Sequence, residues 1–249
     1  MELKVKTKTE LHPTPLNGSE GTELARIREA YELRARAIPR DRYARIHAEN
    51  LCRHHECEVA MVNLFRAAGL RTLRGLRILD VGCGRGAWLR QLLEYNAEPS
   101  LLFGFDLMEN HLREAIGLNP GLQFACGDAS RLPFPDASFD LVIQFMLFTS
   151  VLSDSFRQKI TYEMIRVLSP GGRILWYDFM YNNPKNPDVR GIGRAEIRRL
   201  FPDCSVTFRR ITLAPPLGRI VGRVSTALYS VLAMIRPLCT HYMCLMQKR

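Results

Sequence analysis

The chain has 249 residues, 47% of them hydrophobic, with 35 basic and 25 acidic side chains and a net charge of +10. That length accommodates one sizeable domain with additions. No run of eighteen apolar residues is free of charge and residues 1–6 lack an apolar signal core, which argues against a spanning helix or a secretory leader. Seven scattered cysteines, an odd number, suit reduced thiols and a cytoplasmic setting.

The charge is uneven. Residues 1–77 carry 15 basic and 10 acidic groups, residues 78–189 carry 9 and 13, and residues 190–249 carry 11 and 2. The last quarter is therefore strongly basic. It suits either contact with something anionic or a soluble arginine-rich surface.

In chain order, residues 1–20 read as a flexible polar tail with Pro13, Pro15 and Gly18. Residues 21–75 read as a helical cap of two or three helices broken near Pro39, with Leu24, Ile27, Ala30 and Tyr31 at helical spacing. Cys52, His54, His55 and Cys57 fall inside one of those helices. They lack a second pair at finger spacing, so no metal is expected there. The apolar run Ile78-Leu79-Asp80-Val81 predicts a buried strand. Three glycines at alternate positions follow, Gly82, Gly84 and Gly86, and a helix begins at Ala87. Further strands are predicted over 101–105, ending in Asp106, over 122–126, ending in Gly127-Asp128-Ala129, over 139–145, and through 167–176 after the turn Ser169-Pro170-Gly171-Gly172. A loop over 184–193, a short basic helix over 194–201 and a strand over 205–213 follow. Residues 217–235 then read as one basic amphipathic helix within an insertion at 214–237, and a last strand covers 240–246.

A strand, a glycine turn and a helix form the opening unit of a nucleotide-type α/β site. Glycine is required where side chains would keep a ligand from the backbone, and the helix N-terminus offers unpaired N–H groups. Asp106 stands 24 residues beyond Gly82 at the tip of the second strand, placed to accept hydrogen bonds from ribose hydroxyls.

The sequence Asp80-Val81-Gly82-Cys83-Gly84-Arg85-Gly86, then Asp106, Gly127-Asp128-Ala129, Phe139-Asp140-Leu141-Val142 and Leu168-Ser169-Pro170-Gly171-Gly172 resembles the class I S-adenosylmethionine-dependent methyltransferases. A hydride-transferring Rossmann enzyme has Gly-x-Gly-x-x-Gly instead. The resemblance implies a Rossmann-like three-layer α/β sandwich over 76–249. Its sheet is seven-stranded and mostly parallel with an antiparallel last strand, and N-terminal helices cover the cofactor. It implies S-adenosylmethionine as cofactor, with Gly82, Cys83, Gly84 and Gly86 along the methionine portion and Asp80 near its amino group. Asp106 and Leu107 fall to the ribose, and Asp128 and Ala129 to the adenine. Gln144 and Phe145 fall beside the sulfonium. Asp128 has a competing reading as a turn cap, and Phe145 as core.

A base is needed only where the nucleophile must lose a proton. Asp178, His241 and Tyr31 are the candidates; each also reads as an ordinary strand-end acid, surface histidine or core aromatic. The motifs of amino-methylating, cytosine-C5 and metal-dependent catechol-type relatives are missing after the fourth strand, where the chain reads Gln144-Phe145-Met146-Leu147. A metal-independent enzyme acting on an O or N atom of a small or lipid-linked molecule is the expectation. An RNA methyltransferase and a non-catalytic cofactor-binding scaffold are the alternatives. The basic helix over 217–236 would either roof the acceptor pocket or rest on an anionic membrane surface, making the protein cytoplasmic or peripherally membrane-bound.

Overall fold

The computed structural model describes residues 18–249. Seven strands form one sheet in the order β3-β2-β1-β4-β5-β7-β6. They are β1 (Ile78–Val81), β2 (Leu102–Asp106), β3 (Gln123–Cys126), β4 (Phe139–Phe145), β5 (Leu168–Phe179), β6 (Cys204–Leu213) and β7 (Cys239–Lys248). The first five pair in parallel. β7 runs antiparallel between β5 and β6. β1 and β2 are buried at every position, as strands covered on both faces require.

The helices are α1 (Gly18–Ala37), α2 (Ala48–Ala67), α3 (Ala87–Leu92), α4 (Glu109–Leu118), α5 (Asp154–Arg166), α6 (Arg194–Leu200), α7 (Pro215–Val224) and α8 (Thr226–Met234). The pleat sends neighbouring side chains to opposite faces. Leu79, Val142, Ile174 and Trp176 join a core with Leu24 and Ile27 of α1, Phe156 and Ile160 of α5 and Ile197 of α6. Ile78, Ile143, Leu175 and Tyr177 join another with Met61 and Leu64 of α2, Leu89 of α3 and Leu112 of α4. Two helical layers on one sheet give the three-layer sandwich. The strand order reverses between β1 and β4, so a crevice opens beyond their C-terminal ends, where open α/β sheets bind ligands.

Three local expectations need revision. Gly18–Glu20 open α1 rather than belonging to a tail; the rest of that expectation, residues 1–17, lies outside the described residues. The Ser169–Gly172 turn is absorbed into β5 as an irregularity. Gly171 takes φ +73° there, and the register with β4 shifts between Phe139 and Leu141. The helix expected over 217–235 is two helices. Ser225 adopts φ −161°, and its hydroxyl accepts the Leu228 N–H at 3.2 Å, capping α8. An apolar period does not register a serine cap. The α7–α8 pair seats on α2: a Cβ at Gly218 would lie 3.1 Å from Tyr229, and one at Gly222 3.0 Å from the Glu49 backbone.

Candidate functional site

The glycine turn is fastened to the tip of β2. The N–H groups of Gly82 and Cys83 donate to the Phe105 carbonyl at 2.7 and 3.1 Å. Gly82, Gly84 and Gly86 all take positive φ, +79°, +53° and +70°, conformations that side chains resist. Nothing lies within 4 Å of a Cβ position at Gly84, so that side of the turn is open. Asp106, at the end of β2, accepts the Gly84 N–H through Oδ2 and the Met108 N–H through Oδ1, both at 2.8 Å. These bonds orient its carboxylate at the crevice rim.

Asp80, at the end of β1, is buried, and its Oδ1 has no hydrogen-bond partner. Burial, with the Asp106 charge beside it, holds its carboxyl well above the usual carboxylate range. A buried polar atom without a partner is costly, so a cationic or hydrogen-donating ligand group here would relieve it.

The crevice is lined by Gly82, Asp106, Leu107, Gly127, Ala129 and Phe145 on the sheet side and by Leu24, Ile27 and Tyr31 of α1 on the other. It is narrow, with a volume of about 100 Å³, against roughly 300–1,000 Å³ for ligand pockets in general. A second chamber of about 400 Å³ adjoins it and shares Ile27, Tyr31 and Ser150. Phe145 stacks on Trp88 with centroids 4.0 Å apart, and Trp88 stacks on His54 at 5.0 Å. This aromatic column ties the crevice wall to α2. Burial lowers the His54 pKa, favouring the neutral ring.

Several candidates take on other work. Gln144 is fully buried beneath the crevice, where its Oε1 accepts the Leu147 N–H at 3.0 Å. Both Asp128 oxygens are engaged by Ser130, from its N–H and its hydroxyl, each at 2.8 Å. That is the turn-capping geometry; Gly127 and Ala129 beside it face the crevice. Cys83 is buried against Gly104, with its Sγ 2.8 Å from where a Cβ would stand.

Of the three base candidates, only Tyr31 reaches the crevice. Its hydroxyl lies 3.1 Å from Ser150 Oγ, and burial raises its pKa. Asp178 is fully buried. It accepts the Thr149 hydroxyl at 2.6 Å and the Phe148 N–H at 3.2 Å, pinning the turn after β4 from below. His241 is also buried, not at the surface. It stacks on Tyr177 with centroids 5.0 Å apart, and burial lowers its pKa to about 3. Cys52, His54, His55 and Cys57 disperse: His54 joins the column, Cys57 enters the core, and Cys52 and His55 line a groove beside α8.

Sequence reasoning passed over Glu23, Arg26 and Ser150. Glu23 accepts the Leu152 N–H at 2.7 Å, and Arg26 donates to the Ser150 carbonyl at 2.7 Å, so α1 is bolted across the crevice. The acid–base pair at spacing three was visible in the sequence; its partners, more than a hundred residues on, were not.

A glycine turn at a topological switch point, with an acidic side chain ending the second strand, defines a Rossmann-like nucleotide-type site. The sequence profile of the methyltransferase domain matches residues 78–172. The chain is 35% identical over 127 residues to the phthiotriol/phenolphthiotriol dimycocerosates methyltransferase of Mycobacterium tuberculosis, covering 50% of this chain and 46% of that one. It is 38% identical over 109 residues to a fatty-acid O-methyltransferase of Mycolicibacterium smegmatis, covering 43% and 38%. The chain thus spans under half the length of these curated relatives. A solved S-adenosylmethionine-dependent methyltransferase from Mesorhizobium loti superposes with a TM-score of 0.57 at 20% identity, over 73% of this chain and 95% of that one. The match over residues 78–172 is thus to a methyltransferase domain, and the relatives and solved structure similar to this chain are methyltransferases, as in the class I S-adenosylmethionine-dependent family.

The cofactor of that family is S-adenosylmethionine, and the residues present fit it. The Asp106 carboxylate suits a ribose diol, the open side of Gly84 suits a close backbone approach, and the unpartnered Asp80 Oδ1 suits an ammonium group or its bound water.

Proposed function

We propose that this chain transfers a methyl group from S-adenosylmethionine to an O or N atom of a small or lipid-linked molecule. The observation that carries the reading is the paired acids at the glycine turn: Asp106 oriented by two backbone N–H groups, and Asp80 buried without a partner. When bound, the cofactor supplies an already activated methyl group, so the protein's task is alignment and exclusion of water. Asp106 holds the ribose end and the glycine turn the methionine end. Phe145, braced by Trp88, walls the space between. Leu24, Ile27 and Leu147 exclude water.

The adjoining chamber of about 400 Å³ suits the acceptor. Tyr31 and Ser150 stand at its junction with the crevice, where their hydroxyls can hold the polar atom that is methylated. A phenol whose pKa burial has raised stays neutral, so Tyr31 acts as a hydrogen-bonding positioner. The lipid acceptors named for the two mycobacterial relatives favour a hydroxylated or carboxylated lipid over a nucleic acid.

The test is incubation of the purified chain with methyl-labelled S-adenosylmethionine and a panel of hydroxylated lipids, fatty acids and transfer RNA. Label in the lipid fraction, abolished in Asp106→Ala, is expected. Cofactor binding without transfer to any acceptor would favour the scaffold alternative, and label in the RNA would replace the acceptor class.

A further inference from the structure

We propose that the α7–α8 hairpin is a docking surface for an anionic lipid bilayer, its apolar face lying at the boundary of headgroups and acyl chains and its arginines on lipid phosphates. The sequence left open whether this segment roofs a pocket or faces outward, and the structure turns its apolar residues out. Ile220 is 66% exposed, Val224 75%, Val231 58% and Met234 74%, with Leu228 and Ile235 also exposed. The helices seat on the protein with a different set: Gly218, Val221 and Gly222 of α7 and Tyr229 and Ala233 of α8. Gly218 and Gly222 let α7 lie directly against Tyr229 and the α2 backbone. The small residues therefore make the inner seat, and the large aliphatics are left over for something else. An outward apolar face of this size marks an interaction surface.

The charge around this face selects the partner. Arg219 and Arg223 alternate with Ile220 and Val224 on the outer side of α7, both exposed, and no carboxylate lies within ion-pair distance of either among the described residues. Arg209 and Arg236 stand at the groove between α2 and α8, which opens beside the hairpin and carries Leu51, Val59 and Met234 on its walls. The nearest acids are engaged inward: Glu49 pairs with Arg42 at 3.7 Å, and Glu56 accepts the Thr212 N–H at 2.8 Å. Two copies of this face would set arginines against arginines, so a second copy of the chain is a poor occupant. A basic helix pair with protruding aliphatics has the composition of an interfacial membrane element.

The topology gives the docking a purpose. β6 ends at Leu213, opposite Cys239 at the start of β7, and His241 two residues on pairs with Phe179 at the end of β5. The hairpin between Leu213 and Cys239 therefore leaves the sheet at the same edge as Asp106 and Phe145, which bound the crevice. A bilayer under the hairpin would lie along the ligand-binding edge of the sheet.

The inference goes beyond the methyl-transfer reading, and its test needs neither cofactor nor acceptor, so either can fail alone. The full chain is co-sedimented with vesicles of phosphatidylcholine containing phosphatidylglycerol, and with phosphatidylcholine alone. Binding to the first, falling as salt rises, is expected. Each arginine near an anionic surface is worth roughly a fivefold change in partition, so Arg219→Gln with Arg223→Gln should weaken binding about 25-fold. Ile220→Ser with Val231→Ser should weaken it further, with unchanged circular dichroism. In a chain whose partly exposed Cys52 and Cys126 are replaced by serine, a polarity-sensitive dye on Val224→Cys should shift to the blue with the anionic vesicles. Binding to neither vesicle type at low salt, equal binding to both, or a sedimenting dimer that Ile220→Ser dissociates would overturn the proposal.

Discussion

Asp178 lies at the end of β5 like a catalytic acid, but its surroundings assign it to holding the turn after β4. Its carboxyl is fully buried, and burial raises it from 3.8 to about 7. An acid whose folded pKa exceeds its unfolded one binds its proton more tightly in the fold. Its favourable contribution is thus present below about pH 4 and is lost as pH climbs to about 7. A shift from 3.8 to about 7 corresponds to at most about 4 kcal/mol at roughly 1.36 kcal/mol per pH unit. Asp178→Asn removes the charge and keeps an oxygen to accept the Phe148 N–H. Urea unfolding of both proteins between about pH 4 and about pH 8 should show the variant gaining on the wild type as pH rises, with the gap flattening above about pH 7. His241 and every other titrating group are common to the two proteins and cancel. Methyl transfer by Asp178→Asn should stay within about tenfold of wild type, whereas loss of a general base costs roughly 10²–10⁴-fold. A stability gap independent of pH, or a collapse of transfer with cofactor binding intact, would refute the assignment.

Asp106→Ala should weaken S-adenosylmethionine binding by about 2–3 kcal/mol, the scale of hydrogen bonds to a charged group, as read by titration calorimetry. His241 is held neutral by burial with its pKa near 3 against 6.5 unfolded, so its contribution is present above about pH 6.5 and lost as pH falls towards 3. Exchanging it for phenylalanine should flatten the acid side of the stability curve measured in urea. Gly104→Ala places a Cβ 2.5 Å from Phe124 and 2.8 Å from Cys83 Sγ; overpacking of this kind costs about 1–3 kcal/mol, measurable as a lowered midpoint of unfolding.

The strands were legible because a parallel sheet covered on both faces leaves short, mainly apolar runs bounded by turns, as at Ile78–Val81 and Leu102–Asp106, each carrying a single acid at or next to its tip. The glycine turn and the acid facing it were legible for a related reason. Gly82, Gly84 and Asp106 sit at strand tips fixed by the topology, and their spacing follows from one strand–helix–strand unit. The depth of a strand-end side chain was not legible. Asp178 shares a strand face with Trp176, which packs in the core with α5, and His241 pairs in register with Phe179 and stacks on Tyr177. Neither neighbour can be read from the residue's own position, because face and register are settled by pairing with distant strands. Ser225 shows the same limit on a helix: one cap hydroxyl outweighs a continuous apolar period.

The α1 side of the crevice is hard to read for a further reason: it is assembled from segments that meet only in the folded chain. α1 closes the crevice through Glu23 on the Leu152 N–H and Arg26 on the Ser150 carbonyl, and the turn it grips is held from below by Asp178 through Phe148 and Thr149. Burial works to raise the Glu23 pKa, but Arg26 and the Leu152 N–H more than offset it, so the carboxylate remains charged and the latch is charge-assisted. The crevice behind the latch is narrow, with a volume of about 100 Å³. The helix is held there by polar bonds at its N-terminal end, with Leu24, Ile27 and Tyr31 as its apolar seat. The strand tips are thus set by backbone pairing within the sheet, whereas α1 is set by side chains that reach a turn more than a hundred residues away, which is why the first can be read from a local run and the second only from the folded chain.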